Sequence, residues 1–237
     1  MTNEEFSNEF DVMLSGTGVT LNEYEKSVFL TKAQEEVAIN LYNGKNVYGD
    51  SYESTEEARR YLDALVCKDT LVPIGEEEHK LNSNSYFFKL PNNLAFLTLE
   101  QVKFGESAKA GNCSLKDITA AVYPVTHDEY TRIKDDPFRG PTRYKVLRLE
   151  YGKEENSDVV EIISKYEIDS YIIRYIKKPE PIILVNLKDS YGEDLSIGDK
   201  KAITECELNP LLHKAILTRA VQLAVSLRAT KSTKDKN

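Results

Sequence analysis

The hydrophobic period of this chain changes twice along its length, and that alternation constrains the fold more than any single motif. Up to about residue 70 apolar residues recur at helical spacing, from about residue 85 they alternate, and beyond Asn209 they return to helical spacing. Pro179 and Pro181 close the alternating stretch, since a proline has no amide to offer a neighbouring strand. Pro210 opens the last helix at its first position, where the missing amide costs nothing, with Asn209 as its cap. The pattern predicts an α+β fold: an N-terminal helical bundle, an inserted, mainly antiparallel β-sheet region, and a closing C-terminal helix. In residues, this is 1–70 for the N-terminal helices, 85–185 for the β-rich insert and 207–228 for a C-terminal helix packing on the bundle, with 229–237 a disordered basic tail.

Capping patterns set the helix starts. Thr2-x-x-Glu5, Thr20-x-x-Glu23 and Ser54-x-x-Glu57 each pair a hydroxyl with a glutamate that satisfy one another's orphan amides, and Val19 with Tyr24 forms a hydrophobic staple. The first helix is expected to bury Phe6, Phe10, Met13 and Leu14; the second, Val28, Phe29, Ala33, Val37 and Leu41 before stopping at Asn43-Gly44. A third carries Ala58, Tyr61, Leu62 and Leu65. Strands are expected at 86–88, 94–99, 120–125, 143–151, 159–164 and 171–176, with a short helix starting at Thr126 and a Pro/Gly loop through Pro141. The closing helix presents Leu212, Ile216, Ala220, Leu223 and Leu227 as one stripe.

Bulk properties narrow the function. A chain of 237 residues buries enough surface to hold a core without disulfides. Three widely spaced cysteines (Cys67, Cys113, Cys206) argue against a disulfide framework and against zinc. The acidic start, without a basic-then-apolar leader, and the lack of a membrane-length apolar run point to a soluble intracellular chain. Net charge is −8, so phosphate-backbone binding is not a bulk property of the surface. Residues 1–60 hold twelve carboxylates against five basic side chains, a balance of −7. They form either solvated helix faces or an acidic wall along which a duplex slides without sticking.

Catalytic signals are sparse. His79, His127 and His213 lack metal-ligand neighbours at any recognised spacing, Gly16-Thr17-Gly18 lacks a phosphate-loop lysine, and His127-Asp128-Glu129 reads as a capped surface turn. Fourteen tyrosines without a tryptophan are more informative. Tyr144, Tyr151, Tyr166, Tyr171 and Tyr175 cluster in the sheet region, where β-propensity and partner contact both favour them. Arg148 and Arg174 are either solvent-face charges or carboxylate forks across a subunit boundary.

Four segments carry a resemblance: residues 23–34, Asp136-Pro137-Phe138-Arg139-Gly140-Pro141, the run 171–184 ending in Lys177-Lys178-Pro179-Glu180-Pro181-Ile182-Ile183-Leu184, and Cys206-Glu207-Leu208-Asn209-Pro210-Leu211-Leu212-His213 with the helix after it. They resemble virion structural proteins of crAss-like short-tailed phages of Bacteroidetes, and more broadly head-to-tail adaptor or neck ring proteins. The resemblance implies a structural protein with no catalysis and no cofactor. It implies a ring, dodecameric by family likeness, that joins the portal protein to the next ring or tail protein. Genomic DNA would pass through its lumen without sequence recognition. It would assemble in the host cytoplasm and reside in the virion neck or tail, with no membrane contact. Lys231, Lys234 and Lys236 of the tail, with Tyr171, Tyr175 and Arg174 of the sheet, are the candidate portal or ring contacts. Two alternatives are another virion or assembly protein outside the neck, and a cytoplasmic enzyme with an unrecognised site gathering His127 or His213 with carboxylates.

Overall fold

Thr2, Asn22, Thr55 and Thr126 each accept a hydrogen bond from the amide three residues on, and each begins a helix: α1 (Asn3–Leu14), α2 (Glu23–Asn43), α3 (Glu56–Leu62) and α4 (His127–Ile133). Thr2 is a cap the sequence predicts, and Thr126 caps the short helix expected to start there. The other two shift. Asn22 with Glu25 forms the capping box assigned to Thr20 and Glu23, and Thr55 replaces Ser54, whose hydroxyl donates to the Ser51 carbonyl instead. Asparagine is a stronger cap than threonine, and the two candidate boxes overlap by only two residues. Gly44 closes α2 in the left-handed region at φ 71°, as Asn43-Gly44 predicts.

The computed structural model describes residues 1–45, 49, 51–75, 85–116, 118–154, 157–188 and 195–234. The chain forms two compact units, one of residues 1–65 with 178–237 and the other of residues 66–177. It is a mixed α+β protein with a large, mainly antiparallel sheet and a C-terminal helix.

In the first unit α1 and α2 pack against the last helix, α5 (His213–Lys234), which a short 3-10 turn at Pro210–Leu212 introduces behind its Asn209 cap. Phe6, Phe10, Leu30, Ile216 and Ala220 on these helices are buried. The α2 ammonium of Lys26 is buried and donates to Ser7 Oγ (3.0 Å), Asp11 Oδ2 (2.7 Å) and Glu23 Oε1 (2.8 Å), tying α1 to α2.

The buried face of α2 keeps Ala33 and Leu41 of the expected apolar stripe but not the rest. Val28, Phe29 and Val37 are only half-buried, whereas Ser27, Thr31 and Gln34 are inside. They receive the extended segment that begins after Pro179. Gln34 Nε2 donates to the Glu180 carbonyl (2.6 Å), Thr31 Oγ1 accepts from the Ile182 amide (3.1 Å), and Ser27 Oγ accepts from the Leu184 amide (3.0 Å). One helix face therefore stands in for a strand edge, giving a buried backbone the partners it requires. The expectation that residues 178–185 belong to the sheet insert gives way to this arrangement, because they lie in the helical unit.

Two stripe residues also differ. Met13 is 40% exposed, and Leu227 is half-exposed while Leu217, Val221 and Ala224 are buried, so the apolar face of α5 drifts round the helix. The backbone of α5 stays helical past Arg228 to Lys234, where a structureless tail is expected, since no glycine or proline interrupts it. Lys236 and its neighbours 235–237 lie outside the described residues.

The second unit starts with a strand where helix is expected: β1 (Val66–Leu71). It is followed by β2 (Ser85–Lys89), β3 (Leu94–Phe104), the small hairpin β4 (Lys109–Ala110) and β5 (Cys113–Ser114), then β6 (Thr119–Pro124), β7 (Lys145–Glu154), β8 (Ser157–Ile163) and β9 (Ile168–Lys177). Seven strands form one sheet in the order β1-β9-β3-β6-β7-β8-β2. All neighbours are antiparallel except β6 and β7, and α4 lies in the crossover that a parallel pair requires. Ile74, just past edge strand β1, bridges Phe87 on the opposite edge strand β2, so the sheet curls until its edges nearly meet. One face holds a core that includes Phe88, Val102, Val146, Ile162, Tyr171 and Ile173. On the other, Tyr130 and Ile133 of α4 cover Leu147, Leu149 and Ile163. Val66 pairs with Ile176 across β1 and β9, so the two ends of this unit lie side by side.

Candidate assembly surface

Period-two alternation along β9 decides which tyrosines can reach a partner. Tyr171 and Tyr175 point inward and are buried, while Arg174 between them faces out. Tyr171 is wholly enclosed. Its hydroxyl donates to Glu100 Oε2 at 2.5 Å, and Arg148 Nε lies 3.0 Å from the same oxygen. Burial raises the Glu100 pKa against the opposing pull of Tyr171 and Arg148, and burial raises the Tyr171 pKa still more. Tyr175 donates to Asp69 Oδ2 at 3.0 Å. Both tyrosines thus leave the set of candidate contacts, because their side chains are spent inside the subunit. Arg148 is neither a solvent-face charge nor a fork across a boundary, for it pairs within the chain. Arg174 stays exposed, and Lys231 and Lys234 lie on the last turns of α5.

A different surface is presented between α4 and β7. Asp136 Oδ1 accepts from the amides of Phe138 (2.8 Å) and Arg139 (3.3 Å), and the Asp136 carbonyl accepts from the Gly140 amide (2.8 Å). A Cβ on Gly140 would stand 2.8 Å from that carbonyl, so the turn requires glycine. Lys145 Nζ donates to the Arg139 carbonyl (3.1 Å) and sits 5.1 Å from the centroid of the Tyr123 ring. The result is a braced loop whose Phe138 side chain is 91% exposed. Tyr123 and Tyr144 are exposed beside it in sequence or contact, and the Arg143 guanidinium lies 4.8 Å over the Tyr144 ring. Residues 132–145 carry five basic and two acidic side chains, against the acidic balance of the whole chain.

The remaining cavity of note, about 360 Å³, is lined by Pro124, Val125, Thr126, His127, Glu129, Arg148 and Glu150. It does gather a histidine with carboxylates, the combination that the enzyme alternative needs. His127 Nε2, however, meets the backbone carbonyl of Glu150 (3.1 Å), and the Thr126 hydroxyl caps α4. His213 is buried elsewhere, its Nε2 against the Leu208 carbonyl (3.0 Å) and its Nδ1 accepting from the Met1 amino group (2.7 Å). Burial pushes the Cys206 thiol up to about 11, well away from thiolate chemistry, and the thiol donates to Gln34 Oε1. His79 lies outside the described residues. Among the described residues no three His, Cys, Asp or Glu side chains converge on a metal position, and no helix is long and apolar enough to cross a membrane.

Comparison with known proteins gives this geometry its context. The family of phage tail ring protein 3/4 matches residues 1–236. Ring protein 3 of Bacteroides phage crAss001 is 47% identical over 232 residues, covering 95% of each chain. Ring protein 4/5 of the same phage is 35% identical over 230 residues, covering 94% of this chain and 92% of that protein. With a match along nearly its whole length, the chain belongs to the phage tail ring protein 3/4 family, the virion structural ring proteins of crAss-like phages.

Proposed function

We propose that copies of this chain close into a dodecameric ring that joins the portal vertex to the tail and frames the channel through which genomic DNA is ejected. The observation that carries this reading is the identity to Ring protein 3 over 95% of both chains. That identity exceeds the one to Ring protein 4/5, which favours the Ring protein 3 layer. The names of the family and of its relatives as ring proteins support a role in which the chain builds rather than catalyses. A helical unit carrying a sheet insert is the adaptor-like layout that suits such a ring, assembled in the host cytoplasm and retained in the virion. Averaged images of the virion neck should show this chain as a twelve-fold ring around the DNA channel, touching the portal on one side or reaching it through a neighbouring ring. Particles in which the chain occupies no ring would refute the proposal.

The portal contact is assigned to the end of α5. Lys231 and Lys234 on the last turns of the helix, with Lys236 after them in the sequence, supply three cations suited to an acidic or hydrogen-bonding partner surface. Deleting residues 229–237 should leave the thermal unfolding midpoint within about 2 °C, because surface segments away from the core contribute little. Docking to the purified portal should then fall by tenfold or more, on the order of the loss of two charge-assisted contacts. Unchanged docking would remove the tail from the interface and leave Arg174 as its candidate.

A further inference from the structure

Resting on the reading that this chain forms a ring of copies, we propose that the braced loop around Phe138 docks on the outer face of α1 of the next copy in the ring. A ring is closed by head-to-tail contacts between two different patches of the same chain, so each copy must carry a patch and its complement. Two patches fit that description.

The first is the loop: a 91% exposed aromatic ring on a turn fixed by Asp136 and Gly140, flanked by Arg143, Lys145 and Arg139, whose 65% exposed side chain lies 4.0 Å from Glu129 of the same chain. Fixing the backbone beforehand removes the ordering entropy that a mobile loop would lose on binding. Phenylalanine and arginine side by side supply the kind of anchor that dominates interfaces.

The second is α1. Its inner face buries Phe6, Phe10 and Leu14, yet it leaves Val12 71% and Met13 40% exposed. The helix has four carboxylates and no basic residue, and Glu9 lies one turn before the Val12–Met13 pair on the same exposed side. An apolar spot edged by acid therefore complements an aromatic knob edged by base. Phe138 meets Val12 and Met13, the thioether favouring a ring edge, while Arg139 faces Glu9. A duplex is the other polyanion whose charge suits such a basic, aromatic loop. The second copy is favoured because Phe138 stands clear as an apolar knob and α1 offers an apolar seat, which a phosphate backbone does not.

Three variants test the contact, with wild-type rings imaged in parallel to read the ring assignment independently. In the first, Val12→Cys and Phe138→Cys are combined in a background where the exposed Cys113 is replaced by Ser. Mild oxidation of assembled rings should give a ladder of disulfide-linked oligomers. In the second, Arg139→Glu should raise the protein concentration needed for half-assembly about 30-fold, the loss typical of an interface hot spot. In the third, adding Glu9→Arg to Arg139→Glu should restore assembly to within about threefold of wild type, a rescue that misfolding would not allow. Wild-type rings with no 138–12 ladder, or an Arg139→Glu variant that assembles normally, would overturn the contact while the ring stands. Intact Arg139→Glu rings that lose retention on a duplex-DNA column would assign the loop to nucleic acid instead, and would overturn the contact equally. Wild-type protein that forms no ring in the virion would bring down the ring reading, and this contact with it.

Discussion

Arg148→Ala is expected to cost about 3–5 kcal/mol of unfolding free energy at neutral pH. The side chains of Arg148 and Glu100 are each only 11% exposed, so removing the cation strands a carboxylate in the sheet interior with the Tyr171 hydroxyl as its remaining close partner. Denaturant titration should show this as a lower midpoint with an unchanged slope. Replacing Arg148 by Met together with Glu100 by Leu should recover most of the loss, since the destabilisation comes from the orphaned charge and not from the missing attraction. The pH dependence follows from the raised Glu100 pKa. A folded value above the unfolded one means that the associated stability is present below the unfolded pKa and is lost as pH rises through the folded value. Without Arg148 the folded value rises further, so the deficit should shrink as pH falls towards about 4, where the unfolded carboxyl titrates. A loss below about 1 kcal/mol at pH 7 would place the pair in water rather than in the core.

Phe6→Ala should cost a similar amount, about 3–5 kcal/mol, because a fully buried aromatic side chain is deleted from the face of α1 that packs inward. It also carries a pH signature. The Phe6 ring centroid lies 5.3 Å from that of His213, and burial holds the imidazole below its ordinary pKa. As pH falls below the unfolded value of about 6.5, the unfolded chain takes up a proton that the folded chain refuses. Stability therefore declines until the lower folded pKa is passed, and the full contribution is present only above about 6.5. In Phe6→Ala, water reaches the ring, the pKa moves back towards normal, and the decline between pH 7 and pH 5.5 should flatten. Denaturation curves across that range, for both proteins, check the slope. A wild-type protein whose stability is flat there would show that His213 is already hydrated.

Periodicity made the two classes of structure legible. The alternation of Tyr171, Ile173 and Tyr175 correctly marks one face of β9, and the caps at Thr2 and Thr126 lie where hydroxyls precede helical runs. What period cannot report is which face is inside when both are mixed. On α2 the polar residues Ser27, Thr31 and Gln34 are buried because their partner is a backbone, so the apolar rule finds Ala33 and Leu41 but misses these three and takes the half-buried Val28, Phe29 and Val37 instead. The only signal was their i, i+4, i+7 spacing opposite a proline-flanked extended segment. Tyr171 and Tyr175 misled for the converse reason: a hydroxyl that suits a partner surface also suits a buried carboxylate. The strand β1 was missed because six residues with few apolar positions pair with a sequence more than a hundred residues away. The braced loop was visible as a motif, but its exposed Phe138 needed coordinates, since nothing in Asp-Pro-Phe-Arg-Gly-Pro says which way the ring points.

The pairing of Val66 with Ile176 has a consequence for how ring proteins diversify. A segment of chain that leaves and returns through adjacent antiparallel partners closes its own loop, so its entry and exit points stay together when its contents change. Residues 66–177 carry both partners of that seam, so trading them between related chains as a cassette leaves the junctions at 65/66 and 177/178 to match. Successive rings in one tail could keep a common helical frame and vary the cassette, acquiring distinct neighbours without relearning how to fold. A chimera carrying the cassette of another ring protein would then be a means of reassigning a layer.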